Sequence, residues 1–290
     1  MRTFRTNFIP AILARVFAER PVETIWGFAE KNVFFDATMA PEPGPYDSNK
    51  TPWTRRIQEL VQNPHERGDR IRKIVVMKSS QTGFTEAILN CVRWFAARSP
   101  RNVIYAIDSK EEAGNISDRL IPTLRALGED IFTGDDDDEK RFAVKLRYMK
   151  IWFYGSFSAG KFANKQAPFG VCDEYEEHGR IAGDTTSLAN LESRMKKSAE
   201  GMVVVLSKPK VEGGPIHEEF LHGNQEIFMV PCPHCGTYQQ ITFESLKFDH
   251  CKNLLGEWDK SRVLRETEMQ CAATYCVPRE HWPEVLGLAA

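Results

Sequence analysis

Apolar and polar positions change their spacing three times along the chain. From Ala11 to Arg20 and from Val22 to Lys31 the apolar residues recur at helical spacing, with Pro21 between the two runs where a helix can start. Pro41-Glu42-Pro43-Gly44-Pro45-Tyr46 then forbids regular structure, because each proline fixes φ and removes a donor. A second amphipathic helix is predicted over Thr54 to Gln62, with Trp53, Ile57, Leu60 and Val61 on its apolar side. Beyond it, short apolar runs alternate with helical stretches, as in a sheet covered on both faces. Lys73 to Met77 reads as a strand, Thr85 to Ala97 as a helix, Asn102 to Ile107 as a strand and Lys110 to Leu127 as a helix. Phe142 to Leu146 and Lys150 to Tyr154 read as two strands with a tight connection. Phe169 to Cys172, a helix within Thr185 to Ser198, and Met202 to Leu206 continue the alternation. The expected fold class is α/β, three layers around a mainly parallel central sheet. After Phe228 cysteine pairs and aromatic residues take over, which predicts a small appended module. The expected division is a helical arm and loop over 1–50, an α/β core over 51–224 and the module over 225–290.

At 290 residues and 42% hydrophobic, the chain can bury one large core with a small appendage. No run approaches the roughly 18 apolar residues of a membrane span, and Pro10 and Arg15 interrupt the N-terminal apolar stretch, so neither signal peptide nor anchor is read. Without a targeting segment, seven cysteines are read as reduced, buried or metal-binding. The balance of 38 basic against 40 acidic side chains confines any nucleic-acid contact to a local patch. Part of the acidity lies in Gly134 to Glu139, read as a solvated loop.

The chemistry begins where strand Lys73 to Met77 runs into Lys78-Ser79-Ser80-Gln81-Thr82-Gly83-Phe84-Thr85, after which a helix begins. A phosphate-binding loop needs an abrupt strand end, inward-turned backbone N–H groups, a helix N-terminus aimed at the anion and a hydroxyl for Mg²⁺. Gly83 and Thr85 meet the last two needs. The usual lysine before the Ser/Thr is replaced by Phe84, and the usual first glycine is missing. Lys78, at the other end of the loop, is long enough to reach the same phosphate oxygens from the opposite side. Alone, these residues favour a ligand-free polar turn. Phe169 to Glu174 supplies context: an apolar strand ending in adjacent carboxylates, about 90 residues downstream. At the carboxyl edge of the sheet Asp173 would hold Mg²⁺ through water, and Glu174 would orient and deprotonate the attacking water.

In their order and spacing, Pro43 to Tyr46, Thr51-Pro52-Trp53, the loop Lys78 to Thr85, Asp173-Glu174, Ser207-Lys208-Pro209-Lys210 and Cys232-Pro233-His234-Cys235-Gly236 resemble the lambda-type large terminase subunits of tailed phages. The resemblance runs from about residue 20 to 250. It implies a P-loop NTPase fold and an ATPase motor that uses Mg²⁺ and ATP to move double-stranded DNA into a procapsid. By similarity, Lys78, Ser79, Ser80, Gln81, Thr82, Gly83, Phe84 and Thr85 form the phosphate site, with Mg²⁺ held through Thr85 and Asp173. Tyr46 would lie against the adenine, and Ser207, Lys208 and Pro209 would couple γ-phosphate loss to DNA grip. The implied partners are DNA, a small terminase subunit, a portal and further copies of the chain in a ring, with no membrane involved, in the host cytoplasm.

Two departures stand out. Some family members carry an arginine inside the phosphate loop, where this chain has Ser80 or Gln81. The charge, worth roughly 10³ to 10⁵ in rate, would have to come from elsewhere, with Lys161 and Lys165 as candidates. Family members also continue into a nuclease domain, and no second carboxylate constellation is found here, so no nuclease activity is expected of this chain, read as an excised or truncated motor.

Cys232 and Cys235 have the spacing of half a tetrahedral zinc site, and Cys271 and Cys276 offer the other half at a four-residue separation instead of the usual two. Cys251 and His281 are spare ligands. Structural zinc in a small ribbon and reduced cysteines in a loose tail are both open. Two other functions fit the sequence: a helicase-like P-loop translocase, and a non-catalytic remnant serving assembly or DNA binding.

Overall fold

The computed structural model describes residues 23–40, 42–66, 68–134, 139–157, 165–179, 186–196, 198–273 and 276–277. The predicted helix over Ala11 to Arg20 lies outside these, as do most of the acidic run and Lys161.

The helix expected from Val22 starts later, as α1 (Ile25–Asn32), because the Thr24 hydroxyl caps it by accepting from Gly27 N. Residues 42–46 are irregular as expected apart from Gly44 and Pro45, which pair antiparallel with Phe34 and Phe35. A short 3₁₀ turn over Pro52–Thr54 leads into α2 (Arg55–Gln62).

The core follows the predicted alternation closely. Its elements are β1 (Lys73–Met77), α3 (Phe84–Arg98), β2 (Val103–Ile107), α4 (Lys110–Arg125), β3 (Glu139–Lys140), β4 (Ala143–Lys145), β5 (Lys150–Gly155), β6 (Phe169–Asp173), α5 (Ser187–Met195) and β7 (Met202–Ser207). The sheet order is β1-β7-β6-β2-β5-β4-β3. The first five strands are parallel and the last two antiparallel. Strand period divides the side chains between two cores. Val103, Tyr105, Phe169, Val171, Val204 and Leu206 face one cluster, which takes in Ile57 of α2, Leu89 of α3 and Leu120 of α4. Ile104, Ala106, Cys172, Val203 and Val205 face the other, built with Leu188 and Leu191 of α5 and with Ile216. Three layers result.

One core helix is not anticipated: α6 (Pro215–Leu221) follows Gly213 and Gly214. Glycines before a proline read as a turn, yet Pro is also suited to the first helical turn, and burial of Ile216 secures the helix. The chain then enters the module through β8 (Val230–Pro231) and β9 (Tyr238–Gln239). A second small sheet is built from β10 (Leu246–Lys247), β11 (Glu268–Gln270) and β12 (Cys276–Val277), with α7 (Lys260–Glu266) between β10 and β11.

Candidate functional site

The site lies at the carboxyl ends of β1, β7 and β6. β1 stops at Met77, and its last ladder-like bond is from Lys78 N to the Ser207 carbonyl at 2.9 Å. The chain then turns through two left-handed residues, Gln81 at φ 59° and Gly83 at φ 78°, before α3 begins at Phe84. Gly83 is required twice over, by its φ and because a Cβ there would stand 2.8 Å from the Thr51 methyl carbon. The Trp53 indole N–H donates to the Thr82 carbonyl at 2.8 Å, so the turn before α2 braces the loop from outside. Thr85 sits in the first turn of α3, at the positive end of the helix dipole.

Two strands away, β6 ends at Asp173, and Glu174 takes a left-handed conformation at φ 52°. For a residue other than glycine that is an uncommon conformation. Lys78 Nζ lies 2.6 Å from Glu174 Oε1 and 3.8 Å from Asp173 Oδ1. Asp173 Oδ2 accepts from Thr85 at 2.8 Å and from the Tyr105 hydroxyl at 2.7 Å. The Asp173 side chain is 1% exposed and Lys78's 8%, whereas Glu174's is 37% exposed. Burial raises the Asp173 carboxyl above its ordinary value, while the Lys78 charge and the Tyr105 and Thr85 donors pull it back. The Tyr105 phenol is driven well up by burial and by the carboxylate it donates to. Lys78, Thr85, Asp173 and Glu174 thus form one cluster. Thr85 and Asp173 present two adjacent oxygens, the donor type that Mg²⁺ selects.

Ser207 ends β7 between the two halves of the cluster. Its carbonyl accepts from Lys78 and its hydroxyl from Glu176 N at 3.0 Å. Lys208 is exposed and Pro209 half-buried, and Lys210 pairs with Glu177 at 2.7 Å. Ser79, Ser80 and Gln81 are exposed; Thr82 and Phe84 are half-buried, Phe84 against the core. Tyr46 belongs to a separate buried cluster with Ala29 and Val33. Its ring meets Phe35 edge-on at 6.3 Å, and its hydroxyl is buried without a hydrogen-bond partner among the described residues. Lys165 lies over the Trp152 ring, 5.3 Å from the centroid.

A match to the model of the phage terminase large subunit gpA ATPase domain spans residues 40–287. The chain belongs to this family. The terminase large subunit of Escherichia phage lambda is 24% identical over 252 residues, 82% of this chain and 37% of that protein. The one from Enterobacteria phage P21 is 24% identical over 238 residues, 77% of this chain and 35% of that protein. The chain therefore spans little more than a third of the length of these relatives. Among solved structures, the HK97 bacteriophage large terminase aligns with a TM-score of 0.49 at 12% identity, covering 69% of this chain and 41% of that one. The ATPase domain of the Thermus phage P74-26 large terminase aligns with a TM-score of 0.41 at 16% identity, covering 64% of this chain and 81% of that one.

Within this gpA-type ATPase domain, three site residues escaped the sequence reading. Tyr105 looks like any other apolar strand position, and only strand pairing brings it to Asp173. His178 accepts from or donates to Ser187 through Nδ1 at 2.6 Å and reaches the Asp173 carbonyl through Nε2 at 2.8 Å. Glu176 accepts from Ile216 N at 3.1 Å, tying the acidic loop to α6. A polar residue following two carboxylates is the only local signal for either.

In the module, the Cys232, Cys235 and Cys271 thiols lie within 4.8 Å of one another. The Cys276 backbone pairs with Gln270, next to Cys271, and its side chain lies outside the described residues, as does His281. Cys251 is not in this group; it clusters with His250 and Glu266. Among the described residues no helix is long and apolar enough to cross a membrane.

Proposed function

We propose that this domain is the ATPase motor of a DNA-packaging terminase, hydrolysing ATP with Mg²⁺ to drive double-stranded DNA into a procapsid. The observation that carries the reading is Lys78 bridging Glu174 and Asp173 from the start of a loop that ends in Thr85. Lys78 and the backbone N–H groups of Ser79 to Phe84 bind the triphosphate, the ammonium supplying a point charge. Thr85 and Asp173 would hold Mg²⁺, which would supply positive charge to offset that of the triphosphate. A triphosphate entering the loop competes with Glu174 for the Lys78 ammonium. The released Glu174 carboxylate then orients the attacking water and takes its proton. Ser207 to Pro209 report the loss of γ-phosphate through the bonds that Ser207 makes to both halves of the site. Lys161 or Lys165 from a neighbouring subunit supplies the transition-state charge missing from the loop. A ring of such subunits, working with a small terminase subunit and a portal in the host cytoplasm, fits this division of labour. The three clustered thiols, with Cys276 as the fourth, hold a structural zinc.

Glu174→Gln keeps the shape of the side chain but accepts no proton. Turnover should fall by at least about 10²-fold, while affinity for a Mg²⁺-bound, non-hydrolysable ATP analogue is kept or rises, because the neutral amide competes less for the Lys78 ammonium. Lys78→Ala should instead weaken that affinity by tenfold or more, roughly the loss of one charge-assisted bond. Phosphate release and calorimetric titration read the two effects separately. Undiminished turnover in Glu174→Gln would remove it from the mechanism.

A further inference from the structure

The segment that leaves α6 for the C-terminal module does not run free. Gln225 turns it in a left-handed conformation at φ 53°, and the Gln225 amide reaches back to the Leu221 carbonyl at 3.1 Å. Glu226 then receives both Arg56 Nε and Arg56 Nη2 at 2.9 Å, a two-pronged pair that Asn224 joins at 2.8 Å. Arg56 is further held by Glu66 at 2.7 Å. Two residues on, the half-exposed Phe228 ring meets Trp53 edge-on with centroids 6.0 Å apart. Trp53 is the residue whose indole N–H holds the Thr82 carbonyl of the phosphate loop. The other end of α6 is tied by Glu176 to the acidic loop. The stretch from Ile216 to Phe228 therefore spans the nucleotide site from its carboxylate half to its phosphate half, and continues directly into the module.

We propose that Glu226 and Phe228 form a latch that positions the phosphate loop through Trp53, so that the loop's hold on nucleotide depends on how the segment leading to the module is docked. Neither residue touches the nucleotide; both act through Trp53, whose own role is positioning. Carbonyl groups of a phosphate loop must point away from the anion so that the N–H groups point in, and an outside donor on Thr82 favours that orientation. Undocking Phe228 frees the indole, and the loop relaxes. Linkage makes the effect reciprocal: whatever factor the latch contributes to nucleotide affinity, nucleotide contributes to latch docking. The inference rests on the ATP reading above.

The test uses the full 290-residue chain and a non-hydrolysable ATP analogue with Mg²⁺. Trp53→Phe keeps the ring contact and removes the donor, and Phe228→Ala removes the ring contact. Each should weaken the analogue by about three- to tenfold, the scale of one hydrogen bond or aromatic contact, raising KM with a smaller change in kcat. Arg56→Glu should weaken binding in the same direction, and pairing it with Glu226→Arg should restore at least half of the loss, which general destabilisation would not do. In the unsubstituted chain the analogue should slow backbone hydrogen exchange over residues 226–229. Unchanged affinity in both Trp53→Phe and Phe228→Ala, with Lys78→Ala still defective, would overturn the latch and leave the ATP reading standing. No analogue binding by the unsubstituted chain would overturn both.

Discussion

His178 shows how a residue beside the carboxylates links the site to stability. The Asp173 carbonyl can only accept, so His178 Nε2 carries the proton and Nδ1 accepts from Ser187. Both bonds are made by a neutral ring. Burial pushes its pKa down from the ordinary 6.5 to about 4. The unfolded histidine takes a proton below about 6.5 and the folded one only below about 4, so the unfolded chain carries the extra proton between those values. Stability from this group is complete above about 6.5 and drains as pH falls towards 4, by at most roughly 3 kcal/mol. Urea unfolding at pH 5 and at pH 7.5 should show this loss, and His178→Gln, which keeps a donor and an acceptor but does not titrate, should reduce it. Parallel pH dependence in the two proteins would show that His178 is not the group responsible.

At the scale of elements, β5 meets the start of α4 more closely than any side chain would allow. A Cβ on Gly155 would stand 2.7 Å from Lys110 N and 2.9 Å from the Ser109 carbonyl carbon, both backbone atoms that cannot swing aside. Gly155→Ala should therefore destabilise the core by about 1 to 3 kcal/mol, as overpacking does, read as a lower urea midpoint at unchanged slope. A change below about 0.5 kcal/mol, the ordinary surface value, would mean that α4 moves freely on the sheet. The strands themselves were legible in the sequence, since β1 and β6 are β-branched or apolar runs with abrupt polar ends, and Lys78, Thr85, Asp173 and Glu174 stand at those ends. What stayed hidden depends on neighbours. Tyr105 is beside Asp173 because β2 and β6 pair in parallel with Tyr105 opposite Val171, which turns Tyr105 and Asp173 to the same face. No spacing within either strand encodes that register. The latch was equally invisible, because Trp53 and Phe228 are far apart in sequence and each reads alone as an ordinary apolar position.

At the scale of the whole molecule, the sheet and the module are held together by different physics. The sheet buries two clusters that run the length of five parallel strands, whereas the module's buried cluster is Val230, Cys232, Met269 and Cys271, two of them thiols. Phe243, Leu254, Leu255 and Leu264 remain exposed on it. So small an apolar core does not offset chain entropy unaided, and small domains generally add a staple. Here the staple would be a metal on the convergent thiols. The Cys235 thiol is already drawn down to about 7 by its hydrogen bonds with Thr237, so it is readily deprotonated as a ligand near neutral pH. Thermal unfolding should accordingly show two transitions. A zinc chelator should abolish the module's transition, with loss of zinc on metal analysis. The core's transition should persist and still rise by roughly 5 to 10 °C with nucleotide at about 100 times its Kd, the scale expected for a domain of this size when ligand binds only the folded state. A module that melts at the same temperature with and without chelator would be held by its packing, and the thiol cluster would be only a close approach of reduced cysteines.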